Sequence, residues 1–197
     1  TAIENRSPAE KPVQIKNRIT AAFLNFVITD IKNYFEKTLQ RSLQEIDLSL
    51  FTSYLTLDAG INEGKNEVQF LFVYDKESRH LQHCQPSDLQ KELNGVAFQS
   101  PYGEFSFAGV PSEGMVSRED LFMDLLSVVS DSADVKRMIV VSFNEEYGKK
   151  VTDVLQGLKG KEVMQFRMNE PEIPVNYKWD MLAFPVMHSL GIRAEEL

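Results

Sequence analysis

The chain has 197 residues, of which 43% are hydrophobic and 25% charged, and its formal net charge at pH 7 is −8. This size and composition are typical of one folded domain with its own core. The acidic balance argues against a broad phosphate-binding surface, so RNA is a disfavoured partner. The single Cys84 excludes an internal disulfide and fits a reducing, cytoplasmic location. No apolar run approaches the roughly 20 residues of a membrane-spanning helix, so no membrane partner is expected.

The N-terminal part of the chain predicts a tail, a strand and a helix. Residues 1–12 are polar and lack periodicity, which predicts a loose tail ahead of a domain over 13–168. Residues 13–23 are read as the first strand. A helix is predicted over 26–39, with an apolar face made by Phe26, Ile28, Ile31, Phe35 and Leu39.

The middle of the chain carries clear start and stop signals. Asp47 is the predicted N-cap of a helix that runs to Asp58 and stops at Gly60. A strong strand lies within 63–75 and ends in Asp75. Ser87 and Gln90 form a capping-box pattern for a short helix over 87–93. Residues 96–110 alternate around Pro101 and Gly103, which predicts a β-hairpin.

The stretch 117–168 carries the strongest fold signal. A helix over 117–132 precedes the β-branched run 135–143, a second helix runs to Leu158, and the last strand is expected within 161–168. Strands that alternate with helices predict βαβ units. We therefore expect an α/β fold, a Rossmann-like three-layer sandwich with a mostly parallel sheet and a β-hairpin insertion. Residues 68–74, 138–143 and 162–166 should be buried parallel strands of one sheet.

A C-terminal tail is expected over 169–197, after Pro171 and Pro174. Its segment 177–190 places much apolar area in few residues: Trp179, Met181, Leu182, Phe184, Val186 and Met187. Two interpretations stay open. The tail packs back on its own domain as a covering helix, or it forms an interface with a protein partner or a second copy of the chain.

Several common site types are disfavoured by what the sequence lacks. The chain has no phosphate-binding loop of the G-x-x-x-x-G-K-[ST] type, no G-x-G-x-x-G after the first strand and no G-x-S-x-G elbow. His80, His83 and Cys84 lie close together in sequence, but a structural zinc site needs four ligands, and only His188 remains elsewhere.

The turn after the strand 135–143 resembles that of the NYN branch of PIN-like nucleases. Phe143, Asn144, Glu145, Glu146 and Tyr147 would occupy the Gly, Asp, Ser, Asp and Phe positions of that family's turn, and Gly160 lies near the Gly before its last strand. The family's Asp-x-x-Asn after the first strand is best matched by residues 22–25, which keep Asn25 but place Ala22 at the Asp position. The resemblance implies a Rossmann-like fold that holds a divalent metal ion through acidic residues.

Two functions follow from these acids. In one, Asp120 and Asp124, on one face of a helix, join Glu146 and Asp75 to hold Mg²⁺ or Mn²⁺ in a ribonuclease. Asp120, Asp124 and Glu146 are then the catalytic candidates, with Asn25 and Asn144 at the same polar edge of the sheet. In the other, these acids only cap and solvate helices, and the chain is a non-catalytic, nuclease-like binding or scaffold domain without a cofactor. The Ala at 22, the Asn at 144 and the acidic charge favour the second.

Overall fold

The computed structural model describes residues 12–197. The predicted tail over 1–12 therefore lies, except for its last residue, outside the described residues. The strands are β1 (Val13–Thr20), β2 (Ile46–Asp47), β3 (Asn66–Tyr74), β4 (Cys84–Gln85), β5 (Ala97–Ser100), β6 (Gly103–Pro111), β7 (Val135–Val141), β8 (Glu162–Arg167) and β9 (Lys178–Met181). The helices are α1 (Ala21–Leu39), α2 (Leu48–Asp58), α3 (Arg118–Asp131), α4 (Asn144–Gln156) and α5 (Ala183–Ser189), with a π-helical turn (Leu89–Leu93) and a 3-10 turn (Ala194–Glu196).

Seven strands form one sheet in the order β5-β6-β3-β1-β7-β8-β9. All neighbouring pairs are parallel except β5 with β6. The six parallel strands, counted along the chain, stand in the order 3-2-1-4-5-6, which is the strand order of Rossmann folds. The predicted α/β, Rossmann-like class is confirmed, and so are the buried parallel strands within 68–74, 138–143 and 162–166.

Helices cover both faces of the sheet, which makes the three layers. Ile15, Ile19, Phe70 and Phe72 point from the central strands into a core shared with α1, α2 and α5. On the other face the central strands pack against α3 and α4, through Leu71, Val73, Met138, Val140, Phe122, Leu126, Val151 and Leu155. Two-sided burial explains why these strands are near-continuous apolar runs.

The predicted hairpin is part of the main sheet rather than an appendage. β6 pairs with β3 over nine residues, from Asn66↔Gly103 to Tyr74↔Pro111. Gly103 has φ +130, and a Cβ there would lie 2.0 Å from the carbonyl oxygen of Asn66. Only glycine allows this close approach of two backbones.

Three local predictions were wrong in detail. α1 begins at Ala21, directly after β1, so residues 21–23 are helical rather than extended. Phe26 is 57% exposed, because the buried stripe of α1 runs through Leu24, Val27, Ile28 and Ile31 instead. The short helix predicted over 87–93 is capped by Asp88 rather than by Ser87. The Asp88 carboxylate accepts from the N–H groups of Gln90 and Lys91.

The segment predicted as a C-terminal tail belongs to the domain. β9 pairs with β8 in the main sheet. Val186 of α5 is fully buried on the α1–α2 side of the core, and so are Leu182 and Leu190, which flank the helix. The predicted boundary at residue 168 therefore falls inside one folded unit. The interpretation in which 177–190 covers its own domain describes most of these side chains.

Candidate functional site at the carboxyl edge of the sheet

The strand order places a topological switch point between β1 and β7. After β1 the chain builds the sheet towards β6, and from β7 onwards it builds in the opposite direction. In open α/β sheets ligands bind beyond the carboxyl ends of the strands at such a point. Here β1 ends at Thr20 and β7 is followed by Ser142, and both residues are fully buried.

Tyr147 fills this switch point. Its hydroxyl lies 2.5 Å from Thr20 Oγ1, and the two groups form a buried hydrogen bond. The Tyr147 backbone departs from helical geometry (φ −142, ψ 25) inside α4, and its ring packs 5.5 Å from that of Phe122. Burial raises the pKa of Tyr147 to about 12, so the phenol is neutral at physiological pH. The crevice that holds a ligand in many related folds is thus occupied by a side chain of this protein.

Three charged side chains meet beside Tyr147. The Arg118 guanidinium donates through Nη1 to Asp75 Oδ2 at 3.0 Å and through Nε to Glu146 Oε2 at 3.1 Å, and its Nη2 donates to Glu146 Oε1. The same guanidinium lies 5.2 Å from the centre of the Phe143 ring, in the range of a cation–π contact. We refer to Arg118, Asp75, Glu146 and Phe143 as the Arg118 cluster.

The electrostatics of the cluster favour the ionised forms of Asp75 and Arg118. Partial burial of Asp75 acts to raise its pKa, but hydrogen bonds from Ser78 and the charge of Arg118 outweigh it, so the pKa lies below the usual value. The hydrogen bonds to Glu146 raise the pKa of Arg118 further. Two carboxylates and one guanidinium meet at this edge, with a formal charge of −1.

The structure brings together two of the four predicted metal ligands. Asp75 and Glu146 share Arg118, whereas Asp120 and Asp124 are exposed on α3. Among residues 12–197 no group of three or more His, Cys, Asp or Glu side chains is placed to hold a metal ion. The predicted four-carboxylate cluster therefore does not form, because a guanidinium lies between Asp75 and Glu146.

The two predicted asparagines are engaged by their own surroundings. Asn25, buried in α1, donates to the carbonyl oxygen of His80 at 3.0 Å and accepts from the N–H of Gln82 at 2.8 Å. Asn144 opens α4, and its Oδ1 accepts from the Ser142 hydroxyl at 2.9 Å. Asn25 thus fixes the loop after β3, and Asn144 fixes the turn after β7.

Sequence reasoning missed the residues that organise this edge. Arg118 lies in the helix predicted over 117–132 and Thr20 in the strand predicted over 13–23, and nothing in the sequence near either residue indicates a site. A second missed arginine is Arg18, which is 6% exposed in the central strand and donates to Asn17 O and Gln69 Oε1, both at 3.3 Å. Burial lowers its pKa to about 10. An arginine within a strand predicted as buried was the available signal.

Two clefts flank the Arg118 cluster. One, of about 410 Å³, lies over α1 and includes Asn25 and Phe26 in its wall, and the other, of about 880 Å³, lies between the loops that follow β3 and β6. Asp75 and Arg118 line both clefts. The ion pair of Asp75 and Arg118 therefore lies between the two clefts.

Fold and site together define a Rossmann-like α/β domain whose switch point is closed by its own side chains. The chain belongs to the family described as "Family of unknown function (DUF6621)", whose model matches residues 18–197. No curated protein matches the chain, and no solved structure matches it. None of the helices within residues 12–197 has the length and apolar character needed to cross a membrane. The resemblance to NYN nucleases is neither supported nor opposed by this family membership and stays a prediction.

Proposed function

We propose that this protein is a non-catalytic, nuclease-like binding or scaffold domain that takes a protein partner at the carboxyl edge of its sheet. The observation that carries the proposal is the position of Arg118 between Asp75 and Glu146. An arginine side chain stays protonated in proteins. It therefore supplies, within the chain, the positive charge that a metal ion would bring to these carboxylates.

The oxygen atoms of the cluster are already engaged. Asp75 Oδ1 accepts from the N–H groups of Glu77 and Ser78 and from the Ser78 hydroxyl, and Oδ2 accepts from Arg118. Both oxygens of Glu146 accept from the same guanidinium. Mg²⁺ and Mn²⁺ bind to free carboxylate oxygens in near-octahedral geometry. To bind here, either ion would have to displace Arg118.

A protein is the favoured partner over RNA. The chain carries a net charge of −8, which opposes a polyanion. Apolar side chains are exposed around the two clefts: Phe26 at 57%, Met115 at 103% and Val116 at 48%. Aromatic residues and Met are enriched at the cores of protein interfaces. The single, buried Cys84 fits a reducing compartment and supports the cytoplasm as the proposed location.

The alternative is a metal-dependent ribonuclease, and one observation favours it. Asp75 and Glu146, two of its four predicted ligands, do lie at the same edge of the sheet. In this alternative Arg118 swings away when Mg²⁺ or Mn²⁺ binds, and Asp120 and Asp124 complete the site.

Titration calorimetry with Mn²⁺ separates the two functions without requiring the right substrate. We expect the wild type to bind Mn²⁺ no more tightly than about 1 mM, which corresponds to about −4 kcal/mol. Arg118→Gln frees two carboxylates and should bind Mn²⁺ more tightly than the wild type. Arg193→Gln is the matched control, because Arg193 also pairs with two carboxylates, Glu195 and Glu196, away from the proposed site.

A wild type that binds Mn²⁺ at micromolar concentration contradicts the proposal. The ribonuclease is established if that protein also cleaves single-stranded RNA with Mn²⁺ and loses cleavage in Asp124→Asn. An Arg118→Gln variant that behaves like Arg193→Gln would show that Arg118 is not what keeps metal out.

A further inference from the structure

The outer edge of β9 is open. β9 is the last strand of the sheet, and within residues 12–197 it pairs only with β8. The N–H of Leu182 donates to the carbonyl oxygen of Arg167 at 2.8 Å, which directs the backbone groups of residues 178 and 180 towards β8 as well. The backbone groups of Trp179 and Met181 therefore point outward.

The two outward N–H groups differ. The N–H of Met181 donates to its neighbour Asp180 Oδ1 at 2.7 Å. Within the described part of the chain the N–H of Trp179 has no such partner. The open edge thus offers one donor and one acceptor at Trp179, the arrangement from which a hydrogen-bonded antiparallel pair is made.

The sequence around Trp179 is complementary to itself. When two copies of β9 run antiparallel with Trp179 opposite Trp179 of the second copy, Lys178 lies opposite Asp180 and Asp180 opposite Lys178. These are non-hydrogen-bonded positions, where facing side chains are closest. None of the ion pairs in residues 12–197 uses Lys178 or Asp180, so both charges are available.

The neighbouring registers are penalised by the same two charges. Outward-facing residues must pair with outward-facing residues, so the strand can shift only in steps of two. A shift one way places Lys178 opposite Lys178, and a shift the other way places Asp180 opposite Asp180. Like charges in facing positions are destabilising, so the charges select one register.

Exposed apolar side chains flank β9 in sequence. Ile173 is 78% exposed before the strand, and Phe184 is 51% exposed after it. The opposite edge strand, β5, has the sequence AFQS and carries no charge that could fix a register. Charge complementarity and flanking apolar area therefore occur together only at β9 among the two edges of this sheet.

From this geometry we infer that β9 is a homodimer edge, at which two copies of the chain join their sheets across a two-fold axis through Trp179. The inference does not depend on the proposed function, because β9 lies at the far end of the sheet from the Arg118 cluster's clefts over α1 and β6. A dimer with an active metal site would contradict the proposed function and leave the inference standing. A monomer without a metal site would do the reverse.

Sedimentation equilibrium of the full chain tests the inference. We expect a wild-type dimer, and we expect Lys178→Asp and Asp180→Lys each to weaken it at least about tenfold, since each creates two like-charge pairs by symmetry. The double variant Lys178→Asp/Asp180→Lys restores opposite charges and should recover the dimer. Lys91→Asp, an exposed charge reversal outside β9, should leave it unchanged.

Circular dichroism confirms that each variant is folded. A wild type that remains monomeric at every concentration overturns the inference. A dimer that both single variants leave intact, or that the double variant fails to recover, overturns it equally, because the charges would then not set the pairing.

Discussion

At the scale of single residues, Tyr147 has the clearest energetic role. Its hydroxyl and that of Thr20 are buried together, so removing one leaves the other without this partner. We expect Tyr147→Phe to lower the free energy of unfolding by about 1–2 kcal/mol in urea denaturation. Tyr34→Phe is the control, because Tyr34 is 62% exposed, and it should change the stability very little. Equal stabilities of the two variants would show that the hydrogen bond contributes nothing.

Cys84 makes the free energy of unfolding depend on pH in the alkaline range. Burial raises the pKa of its thiol from the ordinary 9.0 to about 12, and Glu45 adds to the effect. Between these values the unfolded chain loses the proton and the folded chain keeps it. The protonated thiol therefore contributes fully to the free energy of unfolding below pH 9. This contribution is lost as the pH rises towards the folded-state pKa, at about 1.4 kcal/mol per pH unit.

Cys84→Ala removes this contribution. We expect the free energy of unfolding of the variant to fall less steeply than that of the wild type between about pH 9 and pH 11. The measurement is the difference between the two pH profiles, which cancels the buried tyrosines that both proteins share. Parallel profiles would mean that the thiol titrates normally in the folded protein.

At the scale of elements, β9 and α5 decide whether the chain is one unit. Leu190 is fully buried against the core, and Leu190→Ala should cost about 2–5 kcal/mol. Leu57→Ala is the control, because Leu57 is 52% exposed on α2. Trp179, the single tryptophan, reports on β9 by its fluorescence. We expect its transition to coincide with that seen by circular dichroism and to shift in Leu190→Ala, whereas a separately folding tail would give two transitions.

At the scale of the whole molecule, the fold was predictable where its signals are local. Apolar runs and intervening helical spacing identified the parallel strands, and Asp47 and Ser117 cap α2 and α3 as their positions suggest. Strand order was not predictable, because nothing local to β1 indicates that it lies between β3 and β7. The position of β9 beside β8 was not predictable, because parallel neighbours are usually recognised by a helix between them and no helix lies between β8 and β9.

The site was less predictable for the same reason. Asp75, Arg118 and Glu146 come from three separate loops and helix starts, and only the sheet brings them together. The resemblance to nucleases concerns acidic residues only and gives no signal for the arginine between them. Tyr147 could be placed after β7 from sequence, but its contact with Thr20 spans 127 residues.

The central position of β1 has a consequence for folding during synthesis. Ile15 pairs with Val68 on one side and with Arg137 on the other. The edge of β1 that pairs with β7 therefore stays unpaired until β7 has been synthesised. An unpaired, fully apolar strand would invite aggregation in that interval. The middle of β1 is instead Lys16-Asn17-Arg18, and charges in such a strand act as gatekeepers against pairing between chains. We therefore expect the charge of Arg18, whose burial is costly in the finished fold, to disfavour pairing between nascent chains until β7 has been made.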